Sequence, residues 1–235
     1  MRGILMTARG ELVEPRGVCS SFDRLRTSVR RLTALTAILS ATMSCGDVVR
    51  TGRSPVYLVI DTLLVATGDR PNQFSGGALL SDVLTIVTTG GSCTQTNPCQ
   101  VIFDDFGRVD LRIALKDITN PSSPNAPTTN NEVTITRYRV VYRRTDGRNT
   151  QGVDVPFAFD GGVTGTVPFD GTLTLVFEVV RHVAKGEPPL SQLRSSGAII
   201  YTIADITFFG KDRVGNEISV TGSMQINFGN FADRS

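Results

Sequence analysis

The chain contains no tryptophan and a single histidine, His182. One imidazole cannot build a His-rich metal set. It also leaves an acyl-transfer triad with one candidate base, for which the sequence names no partner. His182 ends a strand-like stretch, "FEVVRH", where a surface or capping role is expected. Cysteine is sparse at four residues, and none is spaced with a histidine as zinc binding requires. No apolar run reaches the length of about 20 residues that a membrane-spanning helix needs. No glycine-rich loop follows a strand and opens a helix, and no D-x-[DN]-x-[DN]-G run offers a calcium loop. "FDGGVTGTV" is glycine-rich but lies among β-type residues, so turns are its expected meaning. Aspartates such as Asp104, Asp105, Asp154, Asp160, Asp170, Asp205 and Asp212 fall at strand ends or in loops, yet nothing selects a working pair among them. No catalytic residue, metal ligand or cofactor is therefore expected.

An excess of one charge is also missing from most of the chain. Of 24 basic residues, seven arginines lie in residues 1–45, with only three acidic groups beside them; the rest holds 17 basic and 19 acidic groups. The overall charge of +2 thus belongs to the leader, and a near-neutral body makes no electrostatic case for nucleic acid.

What is present begins with "RRLTALTAILSATMSCGD" at 30–47. Arg30 and Arg31 form a positive start, and Leu32–Met43 is an apolar run of twelve residues. Thr42 and Ser44 are small enough for a signal peptidase. That order of parts is a secretory signal, expected over 29–44. The segment Ala41-Thr42-Met43-Ser44-Cys45 resembles a bacterial lipoprotein lipobox: Ser44 fits, whereas Met43 and Thr42 depart from the usual pattern. The resemblance implies acylation of Cys45 and anchoring in a membrane through that lipid. Gly46 rather than Asp follows the cysteine, which in that family leans toward the outer membrane. Periplasmic or secreted release after Ser44 is the alternative. Upstream, "GELVEPRGVCSSFDRLRTS" (10–28) resembles the conceptual translation of a repetitive intergenic element. That implies a translation start near Val29, with 1–28 a spurious or disordered extension. Residues 45–54 read as a polar tether.

Cys93 and Cys99, in "GGSCTQTNPCQ", are then the two cysteines of the body. An exported chain meets an oxidising compartment, so a disulfide between them is expected, with glycine, asparagine and proline supplying the turn.

Residues 55–235 read as one domain dominated by period-2 patterns. Val109, Leu111, Ile113 and Leu115 alternate with polar neighbours; so do Leu173, Leu175, Phe177 and Val179. In "NEISVTGSMQINF" (216–228), Ile218, Val220, Met224, Ile226 and Phe228 take one face. In "EVTITRYRVVYRR" (132–144) the alternation changes phase, which predicts a bulge near Thr136–Arg137. One short helix is expected over 186–197, and 145–171 is expected to hold short strands at most. Gly215-Asn216 suits a closing hairpin.

Seven to nine strands without intervening helices predict an all-β fold, an antiparallel sandwich preceded by a signal-peptide helix. "DRVGNEISVTGSMQINF" resembles the closing strands of immunoglobulin-like or fibronectin-type-III-like domains, though the Cys–Trp–Cys core of antibody domains is absent. The whole resembles uncharacterised exported bacterial lipoproteins, a resemblance that implies envelope localisation and no particular activity. A binding or scaffolding role through end loops at 68–78, 120–131 and 145–171 follows, with an unidentified protein or glycan partner. A carbohydrate-binding or adhesion module is the alternative. Arg137, Tyr138, Arg139, Tyr142 and Arg143 form the candidate binding surface, since Tyr and Arg suit such surfaces. Arg137, Arg139 and Arg143 share one parity, which equally fits a solvated strand face.

Overall fold

Alternation places successive side chains on opposite faces of a strand, and the computed structural model converts nearly every such pattern into one. It describes residues 54–116 and 128–232, all within one compact unit, Cys45–Ser235. The expected signal helix, the tether, Cys45 and most of the 120–131 loop lie outside the described residues.

Ten strands are formed: β1 (Val56–Ala66), β2 (Leu79–Asp82), β3 (Thr85–Val87), β4 (Cys99–Val101), β5 (Asp105–Leu115), β6 (Val133–Arg143), β7 (Phe159–Val167), β8 (Thr172–Val180), β9 (Ile200–Asp212) and β10 (Glu217–Gly229). A three-stranded sheet has the order β1-β5-β8, a five-stranded sheet the order β2-β10-β9-β6-β7, and β3 pairs with β4 alone. Every pairing is antiparallel except β2 with β10, which is parallel, so the larger sheet is mixed. The all-β expectation holds at this level.

The phase change in β6 has a direct cause. The register skips between Ile135 and Arg137 against both neighbours, leaving Thr136 as the extra residue. Ile135 and Tyr138 can then both face inward. A second irregularity in β1 leaves Asp61 unpaired between Ile60 and Thr62. The β9–β10 hairpin closes as its sequence suggests. Gly215 takes φ +90°, and the Asp212 carboxylate accepts the backbone N–H groups of Val214 and Asn216 at 3.0 and 2.8 Å.

The two larger sheets share a core. Val109 and Leu111 of β5, Phe177 and Val179 of β8, Val140 of β6, Ile206 and Phe208 of β9 and Phe228 of β10 are all buried. Each such side chain contributes about 1.5–3 kcal/mol by leaving water. Aromatic rings bridge the sheets: the centroids of Tyr138 and Phe177 are 5.1 Å apart, and those of Phe177 and Phe208 are 5.2 Å apart. β1 lies against β10 where the latter has Gly222. A Cβ there would stand 2.8 Å from the Ile60 side chain, so the pattern's missing apolar residue is a close approach.

Two expectations need correction. β7 is a nine-residue strand, where 145–171 promised only short ones. Two of its three glycines face bulk: a Cβ at Gly161 would sit 2.2 Å from the Tyr138 ring, and one at Gly165 would sit 2.9 Å from the Leu173 side chain. The helix starts earlier, as α1 (His182–Gly186); residues Leu190–Ser195 form a separate 3-10 turn after the Pro188–Pro189 pair. Between residues 78 and 89 the chain forms two strands, β2 and β3, in different sheets. Residues 102–104 separate β4 from β5, and Gly107 lies within β5.

Candidate functional site

The end of β1, the turn after it, the β2–β3 segment and the chain beyond β10 enclose a groove of about 630 Å³. Its walls mix hydrogen-bonding groups (Asp69, Arg70, Gln73) with apolar ones (Leu80, Phe103, Phe231). Leu80 is half exposed in it. Asp82 builds the far wall. Its Oδ2 accepts the Thr85 hydroxyl at 3.0 Å, and its Oδ1 accepts the Phe231 N–H at 3.2 Å. One carboxylate thus ties the chain end to the turn between β2 and β3.

Behind the groove lies a corner of charged groups. β5 opens with Asp104-Asp105, and α1 brings His182 and Lys185 across from the end of β8. The Asp104 carboxylate lies 2.8 Å from Nδ1 of His182 and accepts the His182 backbone N–H at 2.5 Å. This pair is partly exposed, with His182 at 59 % and Asp104 at 29 % of the side chain. Asp105 and Lys185 are buried, with Nζ 2.8 Å from Oδ2. Ser81 donates to the same Oδ2 at 2.6 Å, and the Gly68 N–H donates to Oδ1 at 2.9 Å. Burial pushes the Asp105 carboxyl above the ordinary carboxylate range, against the opposing pull of Lys185, Ser81 and Gly68. Burial also raises the Tyr142 phenol, with the nearby Asp105 charge adding to the effect.

The arginine–tyrosine surface is not one surface. Tyr138 and Tyr142 are buried, at 4 % and 3 % exposure, whereas Arg137, Arg139 and Arg143 point outward. Period-2 geometry separates them, because after the Thr136 bulge the tyrosines share the core parity with Val140. The arginines are already engaged. Arg137 bonds Asp160 at 3.1 Å and stacks 3.7 Å from the centroid of Phe209; Arg139 lies 3.7 Å from Asp160. Arg143 holds Asp205 at 2.6 Å, and that bond raises its already high pKa. Near Asp205, burial works upward, but the bonds from Arg143 and Ser223 outweigh it and hold the carboxyl low. The face is a charge-compensated exterior rather than a free cationic patch.

Cys93 and Cys99 are joined, with sulfurs 2.06 Å apart, beside the β3–β4 pair. Cys45 lies outside the described residues. Among the described residues, no group of three or more His, Cys, Asp or Glu is placed to hold a metal ion. Among them, too, no helix is long and apolar enough to cross a membrane. Sequence reading missed both the groove and the Asp105–Lys185 contact. Asp104-Asp105 stood out as a doublet, but Lys185, in "HVAKGEPP", carries no local sign that it will be buried. No protein-family model, curated protein or solved structure matches the chain.

Proposed function

We propose that the protein is a cell-envelope lipoprotein, held to a membrane by a lipid on Cys45. Its β domain is an immunoglobulin-like sandwich that binds or scaffolds a partner through the grooved end. The observation that carries this reading is the order Arg30-Arg31, twelve apolar residues, a small Ser44 and then Cys45. The paired Cys93 and Cys99 support an oxidising compartment. The mixed polar and apolar groove at the 68–78 turn supports binding there, because convergent polar groups on an apolar floor are the usual make-up of a ligand site.

Metabolic labelling with palmitate, followed by fractionation, tests the anchor. The wild-type chain takes up label and sediments with the envelope. The Cys45→Ala variant takes up none and is recovered in soluble exported material. A wild-type chain found in the cytosol with residues 1–44 attached defeats the proposal.

A second reading, an exported carbohydrate-binding module, is favoured by one feature. Phe103 and Phe231 line the same groove as the hydrogen-bonding Asp69, Arg70 and Gln73, a combination of aromatic and polar groups suited to sugars. A glycan array separates the readings: a sugar retained by the wild type and lost on Phe231→Ala selects the second.

A further inference from the structure

Lysine is among the residues least often fully buried, and Lys185 is 1 % exposed. It reaches Asp105, equally buried, from a different part of the chain, α1 against the start of β5. The two oxygens of Asp105 are held in different ways. Oδ1 faces a backbone N–H, that of Gly68. Oδ2 takes two hydrogen-bond donors, the Ser81 hydroxyl and Lys185 Nζ. A separated ammonium and carboxylate are costly in a dry interior, several kcal/mol per ion in effect. Moving one proton from Nζ to Oδ2 relieves that cost and leaves a neutral amine touching a neutral acid. Those are the two forms that condense.

We propose that Lys185 and Asp105 form an intramolecular amide cross-link, with Ser81 and Gly68 as the groups that promote it. The Nζ lone pair attacks Cγ of Asp105, forming a C–N bond. The carbonyl electron pair moves onto Oδ1, where the Gly68 N–H meets the developing charge. Nζ then loses a proton, and the Ser81 hydroxyl relays a proton to Oδ2. The C–Oδ2 bond breaks and Oδ2 departs as water with both its hydrogens. Amine and acid become amide and water, with no oxidant, reductant or cofactor required. Nζ stands 2.8 Å from Oδ2, one bond away from the carbon that it attacks, and holding reacting groups close together lowers the entropic part of the barrier. Burial keeps bulk water from reversing the step. The product ties the centre of the β1-β5-β8 sheet to the segment that follows its edge strand. It depends neither on lipidation nor on export.

Peptide mapping of the purified, reduced full chain decides the matter. Trypsin cuts after free lysine but not after an acylated one. The expected product is the segment His182–Arg194, uncut at Lys185 and branched to the peptide that ends at Arg108. Its mass is that of the two peptides less one water. Recovery instead of the linear peptide His182–Lys185 with a free amine, beside an unmodified Asp105 peptide, overturns the proposal. In Lys185→Gln the branched species must vanish, and its persistence assigns the bond elsewhere and overturns the proposal equally. Because that variant risks misfolding, Ser81→Ala is read beside it, with circular dichroism as the check on folding. A folded Ser81→Ala chain is expected to carry a several-fold smaller linked fraction. An unchanged fraction removes Ser81 from the reaction.

Discussion

The Tyr142 hydroxyl donates a 2.6 Å hydrogen bond to the backbone carbonyl of Val179, joining β6 of the larger sheet to β8 of the smaller one. Val179 is the residue left over where the β5–β8 register skips from Val180 to Glu178. A bulge frees a carbonyl from its ladder, and a tyrosine from the facing sheet takes it up. The tyrosine picked out by its place beside arginine is thus an inter-sheet strut.

Tyr142→Phe keeps the ring and strands the Val179 carbonyl in a buried place. A buried acceptor without its donor costs about 1–3 kcal/mol. Urea denaturation should show a lower midpoint with an unchanged slope. An unaltered midpoint means that the carbonyl finds water or another donor.

Gly161 and Gly162 make a controlled pair on β7. A Cβ at Gly161 meets the Tyr138 ring at 2.2 Å, whereas at Gly162 nothing lies within 4 Å. Gly161→Ala should destabilise by about 1–3 kcal/mol, the usual range for overpacking. Gly162→Ala should be neutral or slightly stabilising, since alanine limits the unfolded chain. Thermal melts of the two variants, run side by side, check this; equal shifts would mean that Tyr138 swings aside freely.

Asp110 lies on the outer face of β5 and accepts hydrogen bonds from Thr174 of β8 at 2.6 Å and from Thr62 of β1. Those two bonds, Thr174 first, hold its carboxyl below the ordinary range. A folded pKa lower than the unfolded one contributes stability above the unfolded value, about 4, and loses it as pH falls through the folded value. Asp110→Asn should therefore lower stability near neutrality and flatten the acid limb. Melting temperatures of variant and wild type should converge as the pH drops below about 4. A constant gap across that range would show that the carboxylate is not what the threonines hold.

Closing a short loop at Cys93–Cys99 removes chain entropy worth about 2 kcal/mol. The loop serves the three-residue strands β3 and β4, outside the shared core. Reduction should speed amide hydrogen exchange over residues 85–101 and leave β5, β6 and β9 protected. Loss of protection across the whole domain would place the bond in the global folding unit.

Much of the fold was legible because half-buried strands write their faces at period two. The inward residues of β5, β8 and β10 followed from alternation alone, and the slip of phase in β6 pointed to the Thr136 bulge. β7 was not legible. "FDGGVTGTV" reads as turns because its glycines carry no side chain, and their reason lies on other strands: the Tyr138 ring at Gly161, and Leu173 and Leu175 at Gly165. The parallel pairing of β2 with β10 was equally hidden, since partner choice depends on which edge stands free.

The sequence by itself determined which residues turn inward along β5, β8 and β10, the turn at Gly215-Asn216 and the pairing of Cys93 with Cys99. Those are local matters, set by side-chain period, backbone freedom and a short loop. Only the tertiary structure decided that Tyr138 and Tyr142 leave their arginine neighbours for the core, and that Lys185 meets Asp105 out of water beside Ser81 and Gly68. Such contacts join positions far apart in the chain. They arise from strand order and sheet packing, which no stretch of residues encodes alone.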